Sequence, residues 1–164
     1  MADHLILKLT GAKQGLIKGE CMKQNHQDEI DIMSVDFGVI IPADMSRGGS
    51  GSIGGAPQLQ VISMTKKADA ASAKMLNSCF SNETITEAII YFQFMGGEVL
   101  EYQKITLKNS MFTSFHQSAH ESGEPTESFS LTCSEFEFVY AEQMNDDGSL
   151  GGAIVASINV KKGQ

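Results

Sequence analysis

Two histidines four residues apart, His116 and His120, are the first candidates for chemistry in this chain. On a helix, that spacing would present both imidazoles to one metal ion, and Glu121 and Glu124 could add oxygen ligands. The surrounding segment is rich in Ser, Gly, Glu and Pro, which is typical of a polar loop rather than a helix. A solvated loop is therefore the favoured interpretation, and the sequence predicts no metal and no other cofactor.

A glycine-rich stretch is the second candidate, because Gly49-Ser50-Gly51-Ser52-Ile53-Gly54 matches the spacing G-x-G-x-x-G. In a dinucleotide-binding domain, a strand precedes this motif and a helix follows it directly, so that the helix N-terminus faces the pyrophosphate. Here Ala56-Pro57 and the pattern of a strand follow instead. The stretch therefore indicates a flexible contact loop rather than a nucleotide site.

Paired carboxylates are the third candidate, since Glu135 and Glu137 flank Phe136. Alternate residues of a strand share one face, and two carboxylates on one face can perform the acid-base chemistry of a glycosidase. A solvated strand face explains the pair equally well. His4 and His26 have no partners at ligand spacing, and no serine lies in the strand-turn-helix elbow of a nucleophile. The sequence predicts that the chain is not an enzyme.

The composition narrows the class of protein further. A chain of 164 residues with 41% hydrophobic content is expected to form one domain, residues 1–164. The net charge of -8 argues against binding to nucleic acid, which requires clustered Lys and Arg. Apolar runs as short as Val39-Ile40-Ile41 predict no membrane insertion. Met1 to Leu9 lack the apolar core of a signal peptide, so the chain is expected to be made in the cytoplasm and exported by another route.

The cysteines are odd in number and widely spaced, which argues against a disulfide framework. Cys79 and Cys133 lie in apolar periodic segments and are expected to be small buried side chains. Cys21 lies in a polar stretch, so an exposed thiol is expected there.

The elements that must position these residues are mainly strands. Leu5, Leu7 and Leu9 alternate with less apolar residues, as in a half-buried strand, and residues 11–27 are expected to form a long loop. A second strand runs over residues 29–39, where the apolar positions shift from Ile30 and Ile32 to three later residues. That shift predicts a bulge or sharp bend near Ile32. It assigns Met33, Val35 and Phe37 to the core and leaves Ser34 and Asp36 facing outward.

The middle of the chain predicts the only helix. Asp69 is a plausible N-cap, and the helix is expected over residues of about 69–80. One helical face is expected to carry Ala71, Met75, Leu76, Cys79 and Phe80. Two long strands then follow, joined at Gly96-Gly97, which can adopt the positive φ values of a hairpin turn.

The C-terminal part of the chain completes a β-rich pattern. A strand over residues 128–140 contains a second phase shift, from Phe129 and Leu131 to Phe136 and Phe138. A final strand over residues 153–160 follows a turn rich in Asn, Asp and Gly. Together these elements predict a mainly β fold, a closed antiparallel β-barrel with one short α-helix and long Gly-rich loops.

Several short motifs lie in order along nearly the whole chain. They are Gly19-Glu20, His26, Glu29-Ile30-Asp31-Ile32, Phe37-Gly38, Met64-Thr65-Lys66, Gly96-Gly97-Glu98, Tyr102 and Ile105-Thr106-Leu107. In their order and spacing, these motifs resemble the haemolysin-coregulated protein (Hcp) family of type VI secretion systems.

The resemblance implies a secreted structural protein rather than an enzyme. Members of this family form hexameric rings that stack into a tube inside a contractile sheath. A spike trimer lies at the tip of the tube, and small effector proteins travel in the ring lumen. The implied partners are therefore further copies of the chain, the sheath, the spike and the effectors.

Two surfaces are candidates for these contacts. Ser34 and Asp36, facing outward from the second strand, are candidates for lining the lumen. The Gly-rich loop is the candidate ring contact, with Ser46, Arg47, Gly48, Gly49, Ser50 and Gly51. Two other interpretations stay open from the residues alone. They are a monomeric barrel that binds a small apolar ligand, and a hydrolase that uses acidic residues on a strand face.

Overall fold

The computed structural model describes residues 3–42, 56–95, 99–141 and 152–160. Within them, one helix, α1 (Ser72–Phe80), accompanies twelve strands. The strands are β1 (His4–Gly11), β2 (Gly15–Ile17), β3 (Ile30–Ile32), β4 (Ser34–Asp36), β5 (Val39–Ile40), β6 (Gln58–Leu59), β7 (Ile62–Lys67), β8 (Ile85–Met95), β9 (Val99–Ser118), β10 (Thr126–Thr132), β11 (Glu135–Ala141) and β12 (Ala153–Asn159).

Ten of these strands form one antiparallel sheet, and β5 pairs with β6 in a separate ribbon. The main path runs in the order β2-β1-β8-β9-β10-β7-β4, with β3 on β1 and β11 joined to both β9 and β12. The two ends of this path do not pair with each other among the described strands. The prediction of a mainly β, antiparallel fold with one short helix is confirmed.

The 20-residue strand β9 organises the sheet, because it changes partner halfway along. Its first half pairs with β11, as Lys108 lies opposite Glu135, and its second half pairs with β10, as Met111 lies opposite Thr132. Asn109, between these halves, has φ of 51°, a left-handed conformation that Asn tolerates better than most residues. The strand therefore bends at Asn109.

Alternating apolar residues of the long strands meet in one core. Fully buried members include Leu7 and Leu9 of β1, Ile90 of β8, and Ile105 and Leu107 of β9. The period-two pattern predicted for β1 also runs through β8 and β9, and it buries these side chains. The apolar cluster occupies the interior between the strands.

The phase shift at Ile32 marks a real break in the chain. β3 ends at Ile32, β4 begins at Ser34, and the N–H of Met33 between them donates to Thr65 O over 2.7 Å. The assignment of Met33 to the core is wrong, because its side chain is 56% exposed. The bend lies at Met33 itself, so burial resumes only at Val35, which packs against the core.

The second phase shift also marks a break, between β10 and β11 at Cys133 and Ser134. The Ser134 N–H donates to Lys108 O. At this point the chain changes from pairing with the second half of β9 to pairing with its first half. Cys133 is half-buried against the core, and burial raises the pKa of its thiol to about 11. Cys79 is also half-buried.

Helix α1 lies within the predicted range but buries a narrower stripe than predicted. Ala71, Met75 and Ser78 are buried, whereas Leu76 is 51% exposed and Phe80 is 91% exposed. The assignment of Leu76 and Phe80 to the buried face is therefore wrong. Positions 71, 75 and 78 follow the spacing of a single helical ridge, and the other two residues lie outside it.

The segment predicted as one long loop over residues 11–27 contains β2, which pairs with β1. Its remaining part turns back on itself, since the Cys21 N–H donates to Glu29 O and the Asp28 N–H donates to Cys21 O. Cys21 is consequently buried, at 1% exposure, and the expectation of an exposed thiol is wrong. The residues of the Gly96-Gly97 turn lie outside the described part of the chain.

Glu83 ties the end of α1 to the turn between β1 and β2. Its carboxylate accepts hydrogen bonds from Lys13 N at 2.6 Å, Gln14 N at 2.8 Å, Gln14 Nε2 at 2.7 Å and Ser78 Oγ at 2.9 Å. Burial raises the pKa of Glu83, but these bonds to the charged form outweigh burial and lower it to about 2. The ionised carboxylate is thus the form that the fold stabilises.

Acid should therefore weaken the fold through Glu83. Its pKa is lower in the folded protein than in the unfolded chain, so its contribution is fully present above about pH 4.5 and is lost as pH falls towards about 2. We expect the urea midpoint of the wild type to fall across this range and that of Glu83→Gln to fall less steeply. Parallel curves for the two proteins would contradict this assignment.

Candidate functional site: an assembly surface

The predicted contact and lumen residues differ in how much the structure describes. Ser46, Arg47, Gly48, Gly49, Ser50 and Gly51 lie outside the described residues, as does the whole G-x-G-x-x-G motif. Ser34 and Asp36 of β4 are described, and both are exposed. They lie at one edge of a larger polar surface.

That surface, here called the hydroxyl face, crosses four neighbouring strands. Ser34 lies opposite Thr65, which lies opposite Ser128, and Asp36 lies opposite Ser63, which lies opposite Ser130. Ser130 in turn lies opposite Ser114 of β9. The hydroxyls bond across the strands, with 2.5 Å between Ser34 Oγ and Thr65 Oγ1 and 2.6 Å between Ser114 Oγ and Ser130 Oγ. Its members are Ser34, Asp36, Ser63, Thr65, Ser114, Ser128 and Ser130.

A second surface lies along β12, which is attached to the sheet through β11. This strand pairs with β11 and, among the described strands, with no other. Its sequence, Ala-Ile-Val-Ala-Ser-Ile-Asn, contains no charge, and its first five residues are exposed. Natural sheets usually protect such an edge with charges, proline or a covering element, because free N–H and C=O groups invite another strand.

One face of β12 continues the apolar face of the core. It stays apolar past the last row of residues that the core buries. The cross-strand row Leu107, Phe136 and Ile158 begins in the buried core. Two rows further along, Tyr140 lies opposite Ile154, and Ile154 is 59% exposed. The same apolar face therefore continues from the core into solvent.

An apolar groove adjoins the other end of β12. It has a volume of about 560 Å³ and lies between the β5–β6 ribbon and the end of the chain that the structure describes. Val39 and Leu59 line one side, and Ile158 and Val160 line the other. We call the strand β12 together with this groove the β12 edge.

The two candidate carboxylates share one strand face, as expected, whereas the candidate metal ligands form no cluster in the described part of the chain. Glu135 and Glu137 are exposed on the outer face of β11, opposite Lys108 and Thr106 of β9. His116 is exposed at the end of β9 rather than in a loop, and His120 is exposed beyond it. No group of three His, Cys, Asp or Glu side chains that could hold a metal ion occurs in the described part of the chain.

Two buried polar clusters escaped the sequence analysis. Lys66 and Glu127 lie opposite each other on β7 and β10, both fully buried, with 2.6 Å between Nζ and Oε1. Asp69 and Ser72, at the start of α1, complete the first cluster, at 2.7 Å and 3.1 Å from Lys66 Nζ. The signal for it was present, because Lys66 continues the alternation of Ile62 and Met64.

The second cluster surrounds His26, which is only 5% exposed. Its Nδ1 lies 2.7 Å from Glu29 Oε2, and its Nε2 contacts Glu101 Oε1 on β9. The ring also packs against Tyr91 of β8, with 4.5 Å between ring centroids. Glu101 lies 75 residues from His26 along the chain, so no spacing in the sequence could indicate this contact.

None of the helices in the described part of the chain is long and apolar enough to cross a membrane.

Comparison with known proteins identifies the family of the chain. The family described as "Type VI secretion system effector, Hcp" matches residues 6–140. The chain belongs to the Hcp family. Membership in that family makes it a secreted tube protein of the type VI secretion system.

Individual known proteins are also similar to this chain. The major exported protein of Pseudomonas aeruginosa is 25% identical over 151 residues, which cover 85% of this chain and 86% of that protein. Hcp1 from Salmonella typhimurium is 26% identical and superimposes with a TM-score of 0.77, covering 99% of this chain and 97% of its own. A solved structure of a type six secretion system protein has a TM-score of 0.87 at 20% identity, over 98% of both chains. The last similarity concerns the fold alone.

Proposed function

We propose that this Hcp chain is the subunit of hexameric rings that stack into the inner tube of the secretion machine. The observation that carries the proposal is the β12 edge, where an apolar face runs from the core into solvent along an uncharged strand that pairs with β11 alone among the described strands. A head-to-tail contact repeated around a closed ring covers such an edge in every copy. The mass of the protein in solution tests this directly, since a ring of six has six times the mass of the chain.

We infer that the sheet closes into the barrel expected for the family. The support comes from residues 30–36, which form one continuous segment with its two halves on different neighbours. Its first half, β3, pairs with β1, and its second half, β4, pairs with β7. β1 and β7 are otherwise joined through β8, β9 and β10, so this segment connects both sides of the path. A bend at Met33 is the kind of irregularity that lets a strand turn a barrel corner.

We propose that the hydroxyl face, including Ser34 and Asp36, lines the lumen of the ring. Six of its seven members carry hydroxyl groups, and Asp36 is its one charged residue. Short hydroxyl side chains that already bond to each other present a smooth, hydrated wall. Such a wall lets folded effectors pass without strong adhesion.

The Gly-rich loop is proposed as a second contact, between subunits or between stacked rings. Arg47 is the only charge in Ser46 to Ala56 and can pair with a carboxylate of a neighbouring copy. We expect deletion of Arg47 to Gly55 to leave the circular dichroism spectrum of the barrel unchanged, because loop closure depends only weakly on length. The deletion should reduce tube formation and secretion. Normal stacking and export would show that the loop is only a linker.

The remaining partners follow from the same proposal. Residues 1–164 act as one non-catalytic domain, made in the bacterial cytoplasm and exported by the machine. The tube contacts a contractile sheath on its outside, a spike trimer at its tip and small effectors within. The apolar cluster that occupies the interior supports this function over a barrel that encloses a small ligand.

A further inference from the structure

The loop over residues 18–29 is a compact unit. Gly19 N–H donates to Asp28 O and Cys21 N–H donates to Glu29 O, which closes the loop at its base. Asn25 and Asp28 adopt left-handed conformations, with φ of 67° and 64°. A Cβ at Gly19 would lie 2.6 Å from Glu29 O, so the base is packed as closely as a glycine allows.

His26 is the side chain through which this loop reaches the β8–β9 hairpin. Glu29 belongs to the loop, whereas Glu101 and Tyr91 belong to the hairpin, and His26 contacts all three. Gln93 of β8 adds a bond from its Nε2 to Glu101 Oε1 at 3.2 Å. Between loop and hairpin lies a cavity of about 860 Å³, which His26, Tyr91, Gln93 and Glu101 help to line.

Both contacts of His26 can be hydrogen bonds only when a proton is added. A neutral imidazole with two ionised carboxylates has one proton too few. Both ring nitrogens face carboxylate oxygens, and a neutral imidazole carries only one N–H. With both carboxylates ionised, the imidazolium donates to Glu29 and to Glu101 at once. After loss of the proton, one nitrogen lone pair faces a carboxylate oxygen, and that contact becomes repulsive.

We propose that His26 is a proton-operated latch, which holds the loop on the β8–β9 hairpin when the imidazole is charged and releases it when the imidazole is neutral. The contact with Glu101 is the one that opens, because the Glu101 side chain is 40% exposed and that of Glu29 is 10% exposed. Glu101 can therefore exchange its bond for water at little cost. Opening widens the cavity between the loop and the hairpin.

The charged groups around His26 favour the closed form. Burial lowers the pKa of His26, but its hydrogen bonds to Glu101 and Glu29 outweigh burial and raise it above the ordinary value.

The other ionisable groups near His26 have partners or positions of their own. Lys23 of the loop forms an ion pair with Asp31, with 2.6 Å between Nζ and Oδ1. Glu87 of β8 adds negative charge at Tyr91 rather than at His26, and His4 of β1 also lines the cavity. The pKa of Tyr91 is raised to about 12, mainly by burial, so its phenol stays neutral throughout.

The raised pKa of His26 determines the direction in which pH changes the stability of the latch. The stability that the latch contributes is fully present below about pH 6.5, the pKa of a free imidazole, and is lost as pH rises through the folded pKa. The loop is therefore latched in mildly acidic solution and released in alkaline solution.

Two measurements on the full chain test the latch. Imidazole NMR signals, followed from about pH 5 to about pH 9, should show His26 titrating above about 6.5, with free histidine in the same buffers as the reference. Hydrogen exchange of the amides of residues 20–28, corrected for the intrinsic pH dependence, should lose protection about tenfold through the His26 midpoint.

The variant Glu101→Gln separates the latch from a merely structural histidine. An amide can donate to a neutral imidazole, so the variant should lower the His26 midpoint and abolish the pH-dependent step in protection. The matched control is Glu87→Gln, which removes a charge from the same hairpin without touching His26. It should keep the His26 midpoint and the pH-dependent step in protection. Loop protection that does not vary across the wild-type titration, or a His26 midpoint unchanged by Glu101→Gln, would overturn the proposal.

Discussion

Replacing Lys66 by Met is expected to destabilise the folded chain by about 3–5 kcal/mol, because it leaves the Glu127 carboxylate buried without its cation. Both side chains are fully buried, with 2.6 Å between Nζ and Oε1. Asp69 and Ser72 also lose their bond to Nζ, so the start of α1 loses its attachment to β7. Few single substitutions lower the free energy of unfolding by this much.

Urea unfolding in the monomeric Ile154→Glu background measures this effect without a contribution from ring assembly. The matched control is Lys67→Met on the next residue, whose ion pair with Glu124 at 2.8 Å is solvent-exposed on both sides and should contribute little. The double variant Lys66→Met, Glu127→Met should recover part of the loss, since neither partner is then left as a buried lone charge. Equal stability of Lys66→Met and Lys67→Met would show that the buried pair has no special role.

Ile154→Glu is expected to abolish ring assembly while the chain stays folded. Ile154 lies on the apolar face that leaves the core beside Tyr140, and in the proposed ring a neighbouring copy covers it. An unpaired carboxylate buried there costs several kcal/mol at each contact, so the assembly constant for one contact should fall by about two orders of magnitude or more. In the monomer the same side chain is 59% exposed, and a charge is tolerated.

The control for this variant is Met22→Glu, an exposed apolar residue in the loop before β3, at 86% exposure. Size-exclusion chromatography with light scattering should give a monomer for Ile154→Glu and the wild-type mass for Met22→Glu. Unchanged rings from Ile154→Glu would place the subunit contact elsewhere on the molecule.

The fold could be predicted where a short-range pattern determines burial. Alternation in β1 and the two phase shifts each indicated a feature that the structure contains. Met33 was misassigned because a phase shift shows that a strand bends but not which residue occupies the bend. Leu76 and Phe80 were misassigned because a helix of nine residues buries one ridge, and apolar residues beside that ridge stay exposed.

The polar clusters show what the sequence could and could not indicate. Lys66 occupies a core position of an alternating strand, as does Glu127 before Phe129 and Leu131, so a charged pair on two buried faces was readable in principle. His26 gave no such signal, because Glu101 and Tyr91 come from distant strands and meet it only through the pairing of β8 with β9. The β12 edge was equally hidden, since the same apolar pattern describes a covered strand and an uncovered one.

Solution mass is the most direct test of the central claim, that this Hcp chain works as a ring subunit. Six copies of the 17.7 kDa chain have a mass of about 106 kDa. Light scattering on the purified wild-type protein at micromolar concentration should give that mass, and Ile154→Glu should give the mass of one chain. A wild-type protein that stays monomeric at every concentration tested would contradict the account.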